Sequence, residues 1–161
     1  MEFHHLKIFF VALAVFCLAF FGFGLYYLVS YLQAHSAPTT VSIENKTSVV
    51  VAVADTDALR RRGLSGRPVL GELEGMLFVF DTEGEWGICM KDMNFPIDII
   101  WVGQDGTVVT VAKDVSPDTY PQAFYPSVPA RFVLEVPAGF VAAHDIDEGS
   151  RLSIENANAP R

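Results

Sequence analysis

Two carboxylates stand inside apolar runs. Asp98 interrupts Ile97-Asp98-Ile99-Ile100-Trp101-Val102, and Glu135 interrupts Phe132-Val133-Leu134-Glu135-Val136. A buried carboxylate is costly unless it is partnered, so each should mark either a structural ion pair or a site. Lys91, Arg62 and Arg131 are the cations that can answer Asp98. One reading makes Asp98 an outward-facing strand residue or half of such a pair. The other makes Asp98 and Lys91 the polar centre of a binding site. Were Glu135 to come within about 5–10 Å of Asp98, the two acids would have the spacing for glycosidase-like acid/base work. Tyr120 and Tyr125 lie in a proline-rich stretch whose aromatic faces suit ligand binding. The candidate ligand-binding residues are therefore Met90, Lys91, Asp98, Tyr120, Tyr125, Arg131 and Glu135, with no catalytic residue assigned.

Other chemistries lack their residues. No Gly-x-Ser-x-Gly elbow is present, which disfavours a serine triad. Cysteines and histidines do not fall at zinc spacing, and Asp145-Ile146-Asp147-Glu148-Gly149 reads as an acidic turn rather than a calcium loop. Neither metal nor cofactor is expected. Cys17 lies in an apolar segment and Cys89 in the run Trp86-Gly87-Ile88-Cys89-Met90, so no intrachain disulfide is expected, and Cys89 reads as a small buried hydrophobe. The net charge is -8, and Lys7 and Glu2 are the charges that precede residue 30. The acidic balance therefore belongs to the chain beyond residue 30, which repels phosphate backbones and makes nucleic acid an unsuitable partner.

These residues need a scaffold to place them. Ile8 to Val29 carries no charge across 22 positions. As a helix it would reach about 33 Å at ~1.5 Å per residue, enough for a bilayer core of about 30 Å. Tyr26, Tyr27 and Tyr31 crowd its C-terminal end, as in an interfacial belt. A cleaved signal peptide ending near Ala34-His35-Ser36 is the rival reading, and either one exports the domain. Lys7 on one side, and no Lys or Arg again before Lys46, favour a cytoplasmic N-terminus. The expected organisation is a short cytoplasmic tail (1–7), a transmembrane helix (8–29), a linker (30–40), a β-rich domain (41–155) and a tail (156–161).

Within the domain, strands are expected at Val41–Glu44, Val49–Val53, Gly75–Phe80, Trp86–Met90, Ile97–Val102, Thr107–Val111, Arg131–Val136 and Arg151–Ile154, from alternation or short apolar runs. Asp81 to Glu85 reads as an acidic turn and Gln104-Asp105-Gly106 as a hairpin. Asp55 caps a short helix that Arg60-Arg61-Arg62 close and Gly63 ends; the arginines read as dipole partners on a solvated face, with an anion site as the sharper alternative. Phe140 to His144 forms at most one helical turn. Lys113 to Ala130 holds Pro117, Pro121, Pro126 and Pro129 and reads as a stiffened loop, either a lid on the core or a binding loop. The fold class is mainly β, a compact sandwich or small barrel of about eight short strands with one or two short helices.

Four segments in order carry a family resemblance. They are Val53-Ala54-Asp55-Thr56 with Arg62-Gly63-Leu64 and Gly66-Arg67; Gly75 to Phe80; Met90-Lys91-Asp92-Met93 with Pro96-Ile97-Asp98-Ile99; and Tyr125-Pro126-Ser127 with Pro129 to Gly139. Together the segments resemble the domain of unknown function 192 family over about residues 47 to 155. The resemblance implies a compact, mostly β domain, often exported or membrane-tethered, and brings no established activity. Cys89 stands where that pattern commonly has Trp, Ser65 where Met is usual, and Gly149-Ser150 where Gly-Asp is common. The functional expectation is a non-catalytic module on the extracytoplasmic side of the cytoplasmic membrane. It would bind a sugar-like or peptide-like envelope ligand, or an envelope protein. The alternative is an extracytoplasmic hydrolase using Asp98 with Glu135 or Lys91.

Overall fold

The computed structural model describes residues 20–28, 38–44 and 46–155. The chain divides into two units, Met1–Ala37 and Pro38–Arg161. In the first, residues 20–28 are helical and exposed; the rest of the expected membrane segment lies outside the described residues. Among the described residues no helix is long and apolar enough to cross a membrane.

The second unit is mainly β. Its strands are β1 (Thr39–Ile43), β2 (Thr47–Ala54), β3 (Glu74–Gly84), β4 (Ile88–Cys89), β5 (Ile97–Val102), β6 (Val108–Val115), β7 (Ala123–Phe124), β8 (Ala130–Pro137) and β9 (Leu152–Glu155), with short helices α1 (Asp57–Arg62) and α2 (Phe140–Ala143). Seven strands form one sheet in the order β6-β5-β8-β3-β2-β1-β9, and β4 pairs with β7 apart from it. The sheet curls into a half-barrel. Its two edges meet at one end, where Thr107 bridges Arg151 and the Val108 amide donates to the Ser150 carbonyl at 2.8 Å. Gly106 makes that approach feasible: its φ is +84°, and a Cβ there would lie 2.5 Å from the Leu152 carbonyl oxygen.

Pairing is antiparallel except between β2 and β3, which run parallel. A parallel pair needs a crossover, and α1 with the segment to Leu73 supplies it. Thr56, not Asp55, caps α1, its hydroxyl accepting from the Leu59 amide at 3.3 Å. Gly63 ends α1 with φ +51°. The acidic stretch after Phe80 does not turn as expected. It prolongs β3 to Gly84 across a register shift against β8, because β8 offers that strand a partner as far as Ala130.

Alternation divides the sheet into two faces. The concave face carries Leu77, Ile100, Val102, Leu134 and Val136, and α2 plugs it with Phe140 and Val141. The convex face carries Met76, Phe78, Ile97, Ile99, Trp101 and Val133. It is covered by the segment around Leu64 and Leu70 and by the β4–β7 ribbon, which contributes Ile88 and Phe124. Strands β3, β5 and β8 are thus covered on both sides, which is why Ile97–Val102 is buried at every position and is apolar throughout except at Asp98. The proline-rich stretch expected to be a stiffened loop carries the end of β6, a 3₁₀ turn at Pro117–Thr119 and β7.

Candidate functional site

The convex layer leaves a gap beside Glu135. Register places Glu135 on β8 between Met76 of β3 and Ile99 of β5. Between it and the covering α1 and β4 lies a half-open cavity of about 350 Å³. Glu135 is 5% exposed, and its Oε2 has no hydrogen-bond partner. Burial pushes its carboxyl up to about 8 from the ordinary 4.5. At neutral pH the group is therefore mostly the neutral acid, which donates one hydrogen bond and accepts others.

One wall is aromatic and held in place. Phe80 and Trp86 stack with centroids 4.2 Å apart and planes 3° from parallel. The Arg60 guanidinium lies over the Phe80 ring at 5.2 Å. Arg60 donates to the Asp55 carbonyl at 2.8 Å, the Val79 carbonyl at 2.7 Å and the Asp57 carboxylate at 2.6 Å. That last contact holds the Asp57 carboxyl below its usual range. The Trp101 indole, on the covered face of β5, donates to the Trp86 carbonyl at 2.8 Å and anchors the wall to the sheet. The opposite wall is Met90 and Met93, with Cys89 beside them. Cys89 is exposed rather than buried, because the two-residue strand β4 turns Ile88 and not Cys89 into the core. Arg61, Arg62 and Lys91 line the cavity with exposed side chains and form its mouth. The Ser65 hydroxyl donates to the Lys91 carbonyl at 2.8 Å and fixes the two sides of the mouth to each other.

Of the residues singled out by sequence, Met90, Lys91 and Glu135 meet in this cavity. Asp98 does not. It pairs with Val136, the residue after Glu135, so its side chain leaves the sheet on the opposite face. There Oδ1 accepts from the Asp114 amide at 2.8 Å and Oδ2 from the Val141 amide at 2.9 Å. The expected cationic partners are replaced by backbone N–H groups, one of them in the first turn of α2, whose N-cap residue Gly139 supplies no side-chain cap. Asp98 is structural: it ties β5 to β6 and α2. Arg131 stacks over Phe132 at 5.8 Å and leaves a buried Nε without a partner; it does not line the cavity. Tyr120 is exposed and outside the cavity. Tyr125 is exposed too, but its ring packs on Gly87, where a Cβ would stand 2.5 Å from it, so it borders the site without lining it.

Sequence reasoning misses Arg60, Phe80 and Trp86 as one unit, because the intervening acids look like a turn that would part the two rings. A second cavity, of about 560 Å³, lies on the other side of Arg62 and Gly63 against Leu59, Arg67 and Met76. It is lined by no buried polar atom that lacks a partner.

The family model DUF192, described as Uncharacterized ACR, matches residues 39–154. No curated protein matches the chain. A crystal structure of a candidate transcription regulator from Sinorhizobium meliloti 1021 is similar, with 26% identity and a TM-score of 0.69, covering 73% of this chain and 94% of that one. So is a crystal structure of a protein of unknown function from Novosphingobium aromaticivorans DSM 12444, with 27% identity and a TM-score of 0.65, covering 74% of this chain and 95% of that one. The matched domain makes up almost the whole of both crystallised chains. All strand pairings described here lie within 39–155, so the unit starting at Pro38 contains every partner of its sheet.

Proposed function

The chain belongs to the DUF192 family, and we propose that its domain is a non-catalytic ligand-binding module, held on the outer side of the cytoplasmic membrane by the apolar segment 8–29. The observation that carries this reading is the unpartnered Oε2 of Glu135 on the floor of a cavity with a fixed aromatic wall. A buried polar atom without a partner costs roughly 1–3 kcal/mol. A ligand that supplies the partner recovers that cost. The volume of about 350 Å³ lies at the small end of ligand pockets. Binding is favoured over acid/base catalysis because Glu135 is the one carboxyl lining the cavity, with Asp98 on the far face of the sheet. The tether is supported by the 22 uncharged residues of Ile8 to Val29 and by the Lys7 side of that segment.

Fluorescence titration tests the pocket. Residues 38–161 with N-phenyl-1-naphthylamine, a neutral apolar probe, should show saturable blue-shifted emission. Cys89→Trp, which places a ring on the cavity wall, should abolish it. Emission that does not saturate, or that survives this substitution unchanged, removes the ligand-binding reading. For the tether, protease added to spheroplasts should digest the domain while sparing a cytoplasmic control.

A further inference from the structure

Resting on the ligand-binding reading above, we propose that the Glu135 cavity takes a small amphipathic organic anion, its charge held at the mouth by Arg62 and Lys91 and an uncharged hydrogen-bonding group reaching Glu135.

The argument starts from a reversal of charge. The chain has 19 acidic and 11 basic residues, yet the cavity is lined by four bases (Arg60, Arg61, Arg62, Lys91) and a single acid. Elsewhere in the domain Lys46 is answered by Glu44 at 3.4 Å, Lys113 by Asp147 at 3.7 Å and Arg151 by Asp105 at 3.9 Å, while Arg67 and Arg131 stand apart from this cavity without an ion pair among the described residues. At the cavity only Arg60 is answered, by Asp57. Arg61 acts on that same Asp57, whose carboxylate Arg60 already holds. Arg62 and Lys91 have no ion-pair partner among the described residues. Unanswered cations converging on one opening of an otherwise acidic surface focus a positive potential there.

The floor is different in kind. Burial is the one cause of the Glu135 rise, and no cation pulls its carboxyl back down. The positive charge therefore stays at the mouth, and the inner end presents a neutral O–H between apolar walls. A ligand with its charge innermost would be stripped of water beside Phe78 and Ile97 without a counter-ion. A cationic ligand would have to pass the mouth against like charge. What fits is a molecule with an anionic head, a flat apolar body against the Phe80–Trp86 wall, and a neutral acceptor at the far end.

A set of naphthalenes with one body and different charge tests this, each displacing N-phenyl-1-naphthylamine from residues 38–161. 1-Naphthoate should displace the probe at concentrations on the order of tenfold below 1-naphthylmethanol, and 1-naphthylmethylammonium should be weakest. Arg62→Gln with Lys91→Gln should erase the naphthoate advantage and leave the alcohol unchanged. Lys113→Gln, which removes a cation that does not line the cavity, should alter neither. Rising salt should weaken naphthoate alone. Should the alcohol or the ammonium match naphthoate, or the double variant keep the preference, the anion assignment is overturned while probe binding, and with it the ligand-binding reading, stands. Should the probe not bind, both fall. Sedimentation with vesicles of phosphatidylcholine and phosphatidylglycerol should leave the domain in the supernatant. Pelleting that the double variant abolishes would reassign the mouth to lipid headgroups and overturn the proposal.

Discussion

Glu135→Gln should make the domain more stable at neutral pH. The Glu135 carboxyl has a folded value of about 8 against an ordinary 4.5. Between those two pH values the folded state holds a proton that the unfolded chain has released. Stability must then fall as pH rises, by about 1.4 kcal/mol per pH unit, and level off above about 8. The full penalty is about 5 kcal/mol, of which about 3 is already present at pH 7. Glutamine has nearly the same shape and stays neutral, so it matches the protonated acid at low pH and escapes the penalty as pH rises. Urea denaturation of residues 38–161, followed by tryptophan emission at pH 4.5, 6, 7 and 8, measures both proteins. The two curves should coincide at pH 4.5 and separate steadily to pH 8, the variant being the more stable. A pH-independent difference between them would refute the argument, since it would mean that Glu135 does not change its proton count on folding. Glu135→Met should show the same pH trend, which separates the titration from any hydrogen bond that glutamine makes.

Asp98→Ala leaves the Asp114 and Val141 amides without their acceptor and should cost about 2–5 kcal/mol in urea denaturation, while the folded fraction still binds the naphthyl probe normally, because the side chain lies on the other face. Gly106→Ala puts a methyl against the Leu152 carbonyl at a left-handed φ and should speed hydrogen exchange of the Val108, Gly149 and Leu152 amides that join the sheet edges, with β3 and β8 still protected. Cys89, the one cysteine in residues 38–161, is exposed and should react with an aromatic disulfide reagent without denaturant. A saturating pocket ligand should slow that reaction several-fold.

Much of this scaffold is legible in the sequence because burial leaves a period. Ile97–Val102 can be read to its ends, and the core strands emerge from apolar runs that a two-sided sheet requires. The arginine helix is legible from Gly63 and the charge gradient, with its cap displaced by one residue. Half of the site is legible. Glu135 betrays itself by interrupting an apolar run, and so does Asp98; which face each one uses depends on register, and register is set by pairing between strands far apart in the chain. The Phe80–Trp86 stack is illegible for the same reason. Only the pairing of Gly84 with Ala130 shows that the acids between the rings continue a strand. Cys89 misleads because a two-residue strand carries too little pattern to choose a face.

The seam between the sheet's edges has a consequence for biosynthesis. β1, the first strand of the unit, is flanked by β2 and by β9, the last, and the residues around the start of β9 also supply the contacts that meet the start of β6. A growing chain that has reached Gly139 holds every described strand except the one that closes the curl. Until some sixteen further residues emerge, the free rims of β1 and β6 are open to strands from other molecules. Completion of this domain is thus postponed to the end of its synthesis, and a premature stop before Leu152 would leave the outer edge of β1 uncovered.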